Sequence, residues 1–319
     1  MNNDRLVSVI IVNFNGRKFL EDCLKSLMKI DYKNYEVIIV DNNSTDDSIE
    51  FVKRVYPSVI IIKLEKNYGF AKPNNIGAKN AKGDFLLFLN NDTEVKPNFI
   101  SEMVKLVEKD SKIAICQSLL LKPNGDVDSS GDFLNTLGVS YSSKEKVTQV
   151  KKILSARGAS MMVKKDSFWE LGGFDKKFFA SFEDVDLGLR AWIWGYEVVL
   201  APESIVYHSG GQTVKNLSSE IKFHGVKNSI MLILTNFETN FALNSVIKFL
   251  IVNFKKKIFG SSLKTPQLDY TLPTFQTTFR GIIWVLKNVG HILEKRKKVN
   301  SKRIRSTKDL INIGLITRA

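Results

Sequence analysis

From Val7 to Leu27 the chain reads VSVIIVNFNGRKFLEDCLKSL, and from Tyr35 to Asn43 it continues YEVIIVDNN. Val7–Phe14 is a short apolar run rich in β-branched residues. Behind it Phe19, Leu20, Cys23, Leu24 and Leu27 recur at helical spacing, and Tyr35–Asn42 returns to a strand pattern. Outward from there the alternation continues. Asn43, Ser44 and Thr45 signal the start of a helix running to about Val55. Ser58–Lys63 reads as a third strand, and the loop Lys66–Ala71 (KNYGFA) leads into a helix over Asn74–Ala81. Asp84–Leu89 reads as a fourth strand, and Pro97 opens a helix to about Glu108. Strands alternating with helices predict an α/β fold, a mainly parallel sheet flanked by helices.

Two carboxylates stand at strand exits: Asp41 after VIIV and Asp92 after FLLFLNN. In open α/β sheets ligands bind beyond the carboxyl ends of the strands, where strand order reverses. Either residue alone reads equally well as the cap of the next helix. The first strand is followed by NFNGRK, neither a dinucleotide fingerprint nor a P-loop. Ser111–Lys151 breaks into short strands and turns (PNGD, SSGD), which predicts a hairpin insertion. Beyond it Ala156–Lys165 reads as a strand, Phe182 precedes Glu183-Asp184 and a helix to Trp194, and two short strands end at His208.

The chain has 319 residues, 44% of them hydrophobic and 25% charged, a globular composition. Two cysteines, Cys23 and Cys116, support neither a metal knuckle nor a disulfide framework, and the first apolar run follows an acidic residue without a cleavage site. No signal peptide and a cytoplasmic location are expected. Charge is unevenly divided. Residues 1–209 carry 28 basic and 28 acidic side chains, whereas residues 210–319 carry 19 and 5, a net of +14. In that last third Ile221–Phe237, Phe241–Phe254 and Phe275–Leu293 read as helices with apolar faces. Glu238, Lys248 and Lys287 interrupt the apolar stretches, so no spanning helix is expected. Clusters at Lys255–Lys257, Lys295–Lys298 and Lys302–Arg305 suit either an anionic membrane surface or a solvated basic tail. No nucleic acid is expected, because no helix-turn-helix, zinc-finger or RNP pattern accompanies the charge.

Four motifs, in this order, resemble the family 2 glycosyltransferases, and within them the rhamnosyltransferase-like branch of the GT-A fold: VSVIIVNFNGRKFLEDCLKSL, VIIVDNNSTDDS, NYGFAKPNNIGAKNAKGDFLLFLNNDTEV and GASMMVKKDSFWELGGFDKKFFASFEDVDLGLRAWIWGYEVVLAPESIVYHSGG. The resemblance covers about Leu6–Gln212 and implies sugar transfer from a nucleoside diphosphate to a hydroxyl. Asp92 matches the metal-binding carboxylate, and His208 a histidine that completes the metal shell. Mn²⁺ or Mg²⁺ is the implied cofactor, an imidazole favouring Mn²⁺. Asn90 and Asn91 stand where many relatives carry an acid, which gives these amides a ribose-binding alternative. Asp41 matches the residue that holds the nucleobase. Asn13, Asn67 and Gly69 match the segments around the nucleoside and donor sugar. Lys72-Pro73 replaces two glycines found in relatives, and Lys72 is a candidate for approaching a phosphate. Arg157 is a candidate for facing the diphosphate.

In the Glu183-Asp184 pair the second acid matches the general base, and the helix start is expected to keep both carboxylates ionised. Asp186 reads as a cap or a partner for Arg190.

The expected organisation is a catalytic GT-A domain over residues 1–212 and a basic helical region over 213–319, peripheral at the inner face of the membrane. The expected function is an inverting glycosyltransferase that uses a donor of the dTDP-rhamnose or UDP-hexose type. Its acceptor would be a glycan or polyprenyl-linked hydroxyl in cell-surface polysaccharide synthesis. The alternatives are a nucleotidyltransferase and a catalytically silent nucleotide-sugar-binding or scaffold protein of an envelope assembly complex.

Overall fold

A computed structural model of the chain describes residues 5–210, 218–259 and 274–318. In chain order the elements are β1 (Val7–Asn13), α1 (Arg17–Leu27), β2 (Tyr35–Asp41), α2 (Ser48–Val55), β3 (Ile60–Lys63), α3 (Ala71–Asn80), β4 (Phe85–Asn90), β5 (Thr93–Val95), α4 (Phe99–Lys109), β6 (Ile113–Leu121), β7 (Val127–Ser129), β8 (Asp132–Asn135), β9 (Ser140–Ser142), β10 (Lys151–Lys152), β11 (Ser160–Lys164), α5 (Lys165–Leu171), α6 (Glu183–Ile193), β12 (Glu197–His208), α7 (Ser218–Asn236), α8 (Thr239–Phe259), α9 (Phe275–Lys287), α10 (Val289–Ser301), α11 (Thr307–Asn312) and β13 (Ile316–Thr317). They form two compact units. The first takes the residues up to Asp132, then Ser142–Ala191 and Tyr196–Gly210; the second takes Phe133–Tyr141, Trp192–Gly195 and the described residues after Gly211. The boundary expected between residues 212 and 213 lies outside the described residues.

The first unit is built on a ten-stranded sheet whose main path runs β10-β12-β6-β11-β4-β1-β2-β3. From β3 to β4 all pairings are parallel, and β12 lies parallel to β6. β11 runs antiparallel to both β4 and β6. The chain builds β1, β2 and β3 outward in one direction, then returns β4 to the other side of β1. The order therefore reverses between β1 and β4, and a crevice opens there at the carboxyl edge. Strands β1 and β4 are buried on both faces, as a parallel sheet covered by helices requires. Helix α1 buries Leu20, Cys23, Leu24 and Leu27, the stripe that its sequence spacing predicts.

Three local expectations change. Ser111–Lys151 is not only a hairpin insertion: Ile113–Leu121 (IAICQSLLL) is a nine-residue strand in the middle of the sheet. The PNGD turn does make a hairpin, pairing Leu121 with Val127. The two short strands before His208 are one twelve-residue strand, β12, irregular between Ala201 and Ile205, where Pro202 cannot donate to a ladder. Helix α2 starts at Ser48 rather than near Asn43, because Asn43 adopts a left-handed φ of 68° and the preceding loop belongs to the crevice.

In the second unit α7 packs with α8, α9 and α10, beside a three-stranded sheet ordered β13-β8-β9. The basic clusters divide by residue type. Arg296 donates to the carbonyls of Leu234 (2.6 Å) and Phe237 (2.7 Å), and Arg303 donates to that of Asn236. These arginines therefore satisfy orphan carbonyls at the C-terminal end of α7. Lys287, Lys297 and Lys298 face solvent. So does an apolar row along α9 and α10, formed by Phe275, Phe279, Leu286, Val289 and Leu293, each at least 50% exposed. The side chains of Lys255–Lys257 lie outside those described. No described helix is long and apolar enough to cross a membrane.

Candidate active site

At the carboxyl edge of β1 and β2, Asn13 is in register with Asp41. Asn13 is fully buried and its amide is taken up by protein: Nδ2 donates to Ser44 Oγ (3.1 Å) and Ser48 Oγ (2.9 Å), and Oδ1 accepts from Asn91 Nδ2 (2.9 Å). It therefore joins the two lips of the crevice, β2's exit loop and β4's exit turn. Among the described residues the carboxylate of Asp41 receives only the backbone N–H of Ser44, at 3.3–3.4 Å. Such long bonds leave it open to a stronger donor.

Asn42, which the sequence reading passed over, organises the next wall. Its Nδ2 donates to Asn67 Oδ1 (2.9 Å) and to the carbonyl of Gly69 (2.8 Å), while its Oδ1 accepts from the N–H of Tyr68 (2.9 Å). Three bonds from one amide fix the 67–69 loop over β2. Gly69 adopts φ +79°, and a Cβ there would lie 2.0 Å from the carbonyl oxygen of Phe179. Only glycine meets both demands. The next residue, Phe70, donates its N–H to that same oxygen at 2.7 Å. The ammonium of Lys72 lies 3.2 Å over the ring of Tyr68, a cation–π contact rather than an approach to phosphate.

Across the crevice Asp92 and His208 face each other, with Oδ1 and Nε2 3.4 Å apart. The other ring nitrogen, Nδ1, lies 2.8 Å from Asp128 Oδ2. Burial works against the imidazolium, but the hydrogen bonds and charges of Asp128 and Asp92 outweigh it and raise His208 to about 9. Burial would likewise raise Asp128, yet His208 and Arg157 hold it well below the usual carboxylate range. When Nδ1 carries the proton that Asp128 accepts, Nε2 presents a lone pair to a carboxylate oxygen. Without a metal, the ring raised to about 9 carries a proton on Nε2 toward Asp92; a cation bound there would take that proton's place. That donor set fits a divalent cation, one imidazole and one carboxylate being the protein's share. Among the described residues no group of three or more acidic, thiol or imidazole side chains forms a fuller cage. The remaining positions would fall to phosphate oxygens and water.

Arg157 does not face the diphosphate as expected. Its guanidinium reaches Asp128 Oδ2 (3.1 Å) and Asp132 Oδ1 (3.5 Å) and donates to Ser142, because three acceptors converge on it from the β6–β10 segment.

One residue further on, the N–H of Gly158 donates to Asp184 Oδ2 (3.1 Å), while Asp184 Oδ1 accepts the N–H of Val185 (2.8 Å). The helix start does not hold this carboxylate at its ordinary pKa, although it remains ionised at neutral pH and accepts through both oxygens. Burial first and the Asp132 charge second raise Asp184 to about 6, against both N–H bonds and the Arg157 charge. Glu183, beside it, is buried, while Asp184 itself is half-buried. The two residues before the pair, Ser181 and Phe182, both hold left-handed φ values (68° and 74°), costly for residues with a Cβ. Asp186 pairs with Arg190 inside the unit (2.8 Å), and Arg190 also donates to the carbonyls of Leu171 and Gly173. Helix α6 is thus pinned to the LGGFD turn.

The structure brings Asp41, Asn67 and Gly69 together through Asn42, and Asn91 to Asn13. It brings Asp92 to His208, and Asp184 to the backbone beside Arg157. The missed participants are Asn42, Asp128 and Asp132. Asn42 was legible as the amide next to Asp41. Asp128 carried only the signal of a V-D-S strand after an Asn-Gly turn.

The sequence profile of Glycosyl transferase family 2 matches residues 8–172. O-antigen biosynthesis protein RfbC of Myxococcus xanthus is 31% identical over 216 residues, covering 62% of this chain and 17% of that protein. The N-acetylglucosaminyl-diphospho-decaprenol L-rhamnosyltransferase of Mycobacterium tuberculosis is 23% identical over 249 residues, covering 69% of this chain and 81% of that protein. The chain spans only 17%, 25% and 38% of the length of three of its curated relatives. Among solved structures, GalNAc-T7 with UDP, GalNAc and Mn²⁺ aligns with a TM-score of 0.64 at 18% identity, over 90% of this chain and 58% of that one. S. aureus TarS 1-349 in complex with UDP-GlcNAc aligns with a TM-score of 0.57 at 18% identity, over 93% and 84%. At such identity the likeness is one of fold: the architecture is GT-A.

Proposed function

The chain belongs to glycosyl transferase family 2, and from that premise we propose that it is a metal-dependent, inverting glycosyltransferase. In this reading Asp41 holds the nucleobase, while Asn67, Gly69 and Asn91 line the nucleoside and donor sugar. Asp92 and His208 hold Mn²⁺ or Mg²⁺; when bound, that cation supplies positive charge to the diphosphate. Asp184 takes the proton of the acceptor hydroxyl as the oxygen attacks the anomeric carbon from the side opposite the diphosphate. A single displacement of that kind inverts the anomeric centre. Glu183, beside Asp184, adds acceptor-side charge.

The observation that carries the proposal is the half-buried carboxylate of Asp184, raised to about 6 and held by two backbone N–H groups at the same carboxyl edge as Asp41 and Asp92. A base whose pKa lies near neutrality is both available and strong enough to share a hydroxyl proton. The donor is of the dTDP-rhamnose or UDP-hexose type, and the acceptor is a glycan or polyprenyl-linked hydroxyl in cell-surface polysaccharide synthesis. The second unit meets the inner, anionic face of the cytoplasmic membrane. In support, exposed lysines on α9 and α10 accompany the exposed apolar row of Phe275, Phe279, Leu286, Val289 and Leu293.

The test is thermal shift with nucleoside diphosphates and nucleotide sugars, with and without Mn²⁺. A stabilisation that requires both nucleotide and Mn²⁺, lost in Asp92→Ala and kept in Asp184→Asn, is expected. Equal loss in both variants would undo the separation of roles. Label from the sugar, rather than from the α-phosphate, should appear in product; the reverse would make the chain a nucleotidyltransferase.

A further inference from the structure

We propose that Asp128 is the positioning residue of the cation site: it accepts the Nδ1 proton of His208 and thereby aims Nε2 at Asp92, and Arg157 fixes Asp128 in that role. The inference rests on the cation reading above and adds residues that lie outside all four sequence motifs. Imidazole has two chemically distinct nitrogens, and the partner of one decides what the other can do. A carboxylate on Nδ1 fixes the tautomer that leaves Nε2 as a ligand atom, and it fixes the plane of the ring. Here that carboxylate lies 2.8 Å from Nδ1. The Asn90 amide nitrogen (3.5 Å) and Asp92 Oδ1 (3.4 Å) border Nε2 on its open side.

Asp128 is itself held from several sides. Arg157 lies 3.1 Å from Oδ2, and Lys144 donates to the Asp128 carbonyl and stands 3.5 Å from Oδ1. Arg157 is anchored in turn. Its N–H donates to Gln117 Oε1 (2.7 Å) on β6, and its guanidinium also reaches Asp132 (3.5 Å). The backbone then runs directly into Gly158, whose N–H holds Asp184. One arginine therefore ties the ring that faces the cation to the loop that holds the base. The β6–β7 hairpin has a specific purpose in this arrangement, since it carries Asp128 under His208, 80 positions away in the chain.

The experiment is Mn²⁺ binding to the full-length protein, read by the EPR signal of the free ion well below the melting temperature, with Mn²⁺ as the only ligand. Wild type is expected to bind, and His208→Ala to lose binding. Asp128→Asn is expected to weaken Mn²⁺ roughly 10–100-fold, the usual effect of removing such an outer partner. Arg157→Lys, which keeps the charge but not the fork, should fall between. A purely structural role would lower the melting temperature and leave the affinity alone. Asp128→Asn binding Mn²⁺ as tightly as wild type would overturn the inference while leaving the cation reading intact. Wild type failing to bind would overturn both. Should Asp128→Asn not fold, Asp128→Glu keeps the charge and displaces the acceptor by one methylene. It is expected to lose affinity in the same direction, and wild-type affinity in that variant overturns the inference equally.

Discussion

Asp184 shows how one side chain can be destabilising and useful at once. The unfolded chain releases this proton near 3.8 and the folded protein near 6. Between those values the native state binds the proton more tightly, so the group's contribution to stability falls as pH rises through that window. At neutral pH the ionised carboxylate is a net cost, held in place by its surroundings. Asp184→Asn is therefore expected to abolish turnover without lowering the melting temperature at pH 7.5; a lower melting temperature would mean that the carboxylate is structural. In the wild type, turnover should rise with pH along an acid limb centred near 6, and a flat profile from pH 5 to 8 would remove Asp184 as the base. Gly69 is constrained by backbone alone. Gly69→Ala combines a left-handed φ with a Cβ 2.0 Å from the Phe179 carbonyl. A loss of at least about 1 kcal/mol in denaturant unfolding is expected, together with weaker nucleotide binding, since the 67–70 loop must shift.

At the scale of elements, α6 is a lever set by one buried ion pair. Asp186 and Arg190 lie one helical turn apart, and Arg190 reaches beyond the helix to the carbonyls of Leu171 and Gly173. Removing one partner leaves a buried charge uncompensated. Asp186→Ala is expected to cost about 3–5 kcal/mol in chemical denaturation and to loosen the start of α6, where Glu183 and Asp184 stand. A loss under about 1 kcal/mol would mean that water replaces the pair. This pairing was legible in the chain, because positions four apart on a helix face each other. The central strand β6 was not. Its neighbours in sequence are turn-rich, so Ile113–Leu121 was absorbed into an expected insertion, although it is a nine-residue strand. Position in a sheet depends on partners distant in the chain, and local periodicity carries no record of them.

For the whole molecule, charge and apolar surface make one testable statement. The full chain should float with vesicles that contain anionic lipid, release as salt rises, and ignore neutral vesicles. The double charge reversal Lys297→Glu with Lys298→Glu should weaken that association without disturbing fold, since both side chains face solvent. Salt-insensitive or neutral-lipid binding would contradict an electrostatic contribution. Not all the basic residues are available for it: Arg296 and Arg303 turn inward to the carbonyls at the end of α7, a role that composition alone cannot reveal. What the amino-acid sequence determined by itself is the succession of strands and helices from β1 to β4, the carboxylates at the exits of β2 and β4, the Glu-Asp pair heading α6 and Arg190 as a candidate partner of Asp186. These are properties of short range, written in periods of two and 3.6 residues and in spacings of a turn or less. What only the tertiary structure decided is which groups meet across long separations. Asp128 reaches His208, Arg157 turns from the expected diphosphate to two carboxylates, and burial beside Asp132 lifts Asp184 toward neutrality. Hydrogen-bond partnership and desolvation are set by where the backbone folds back on itself, and no residue carries that information alone.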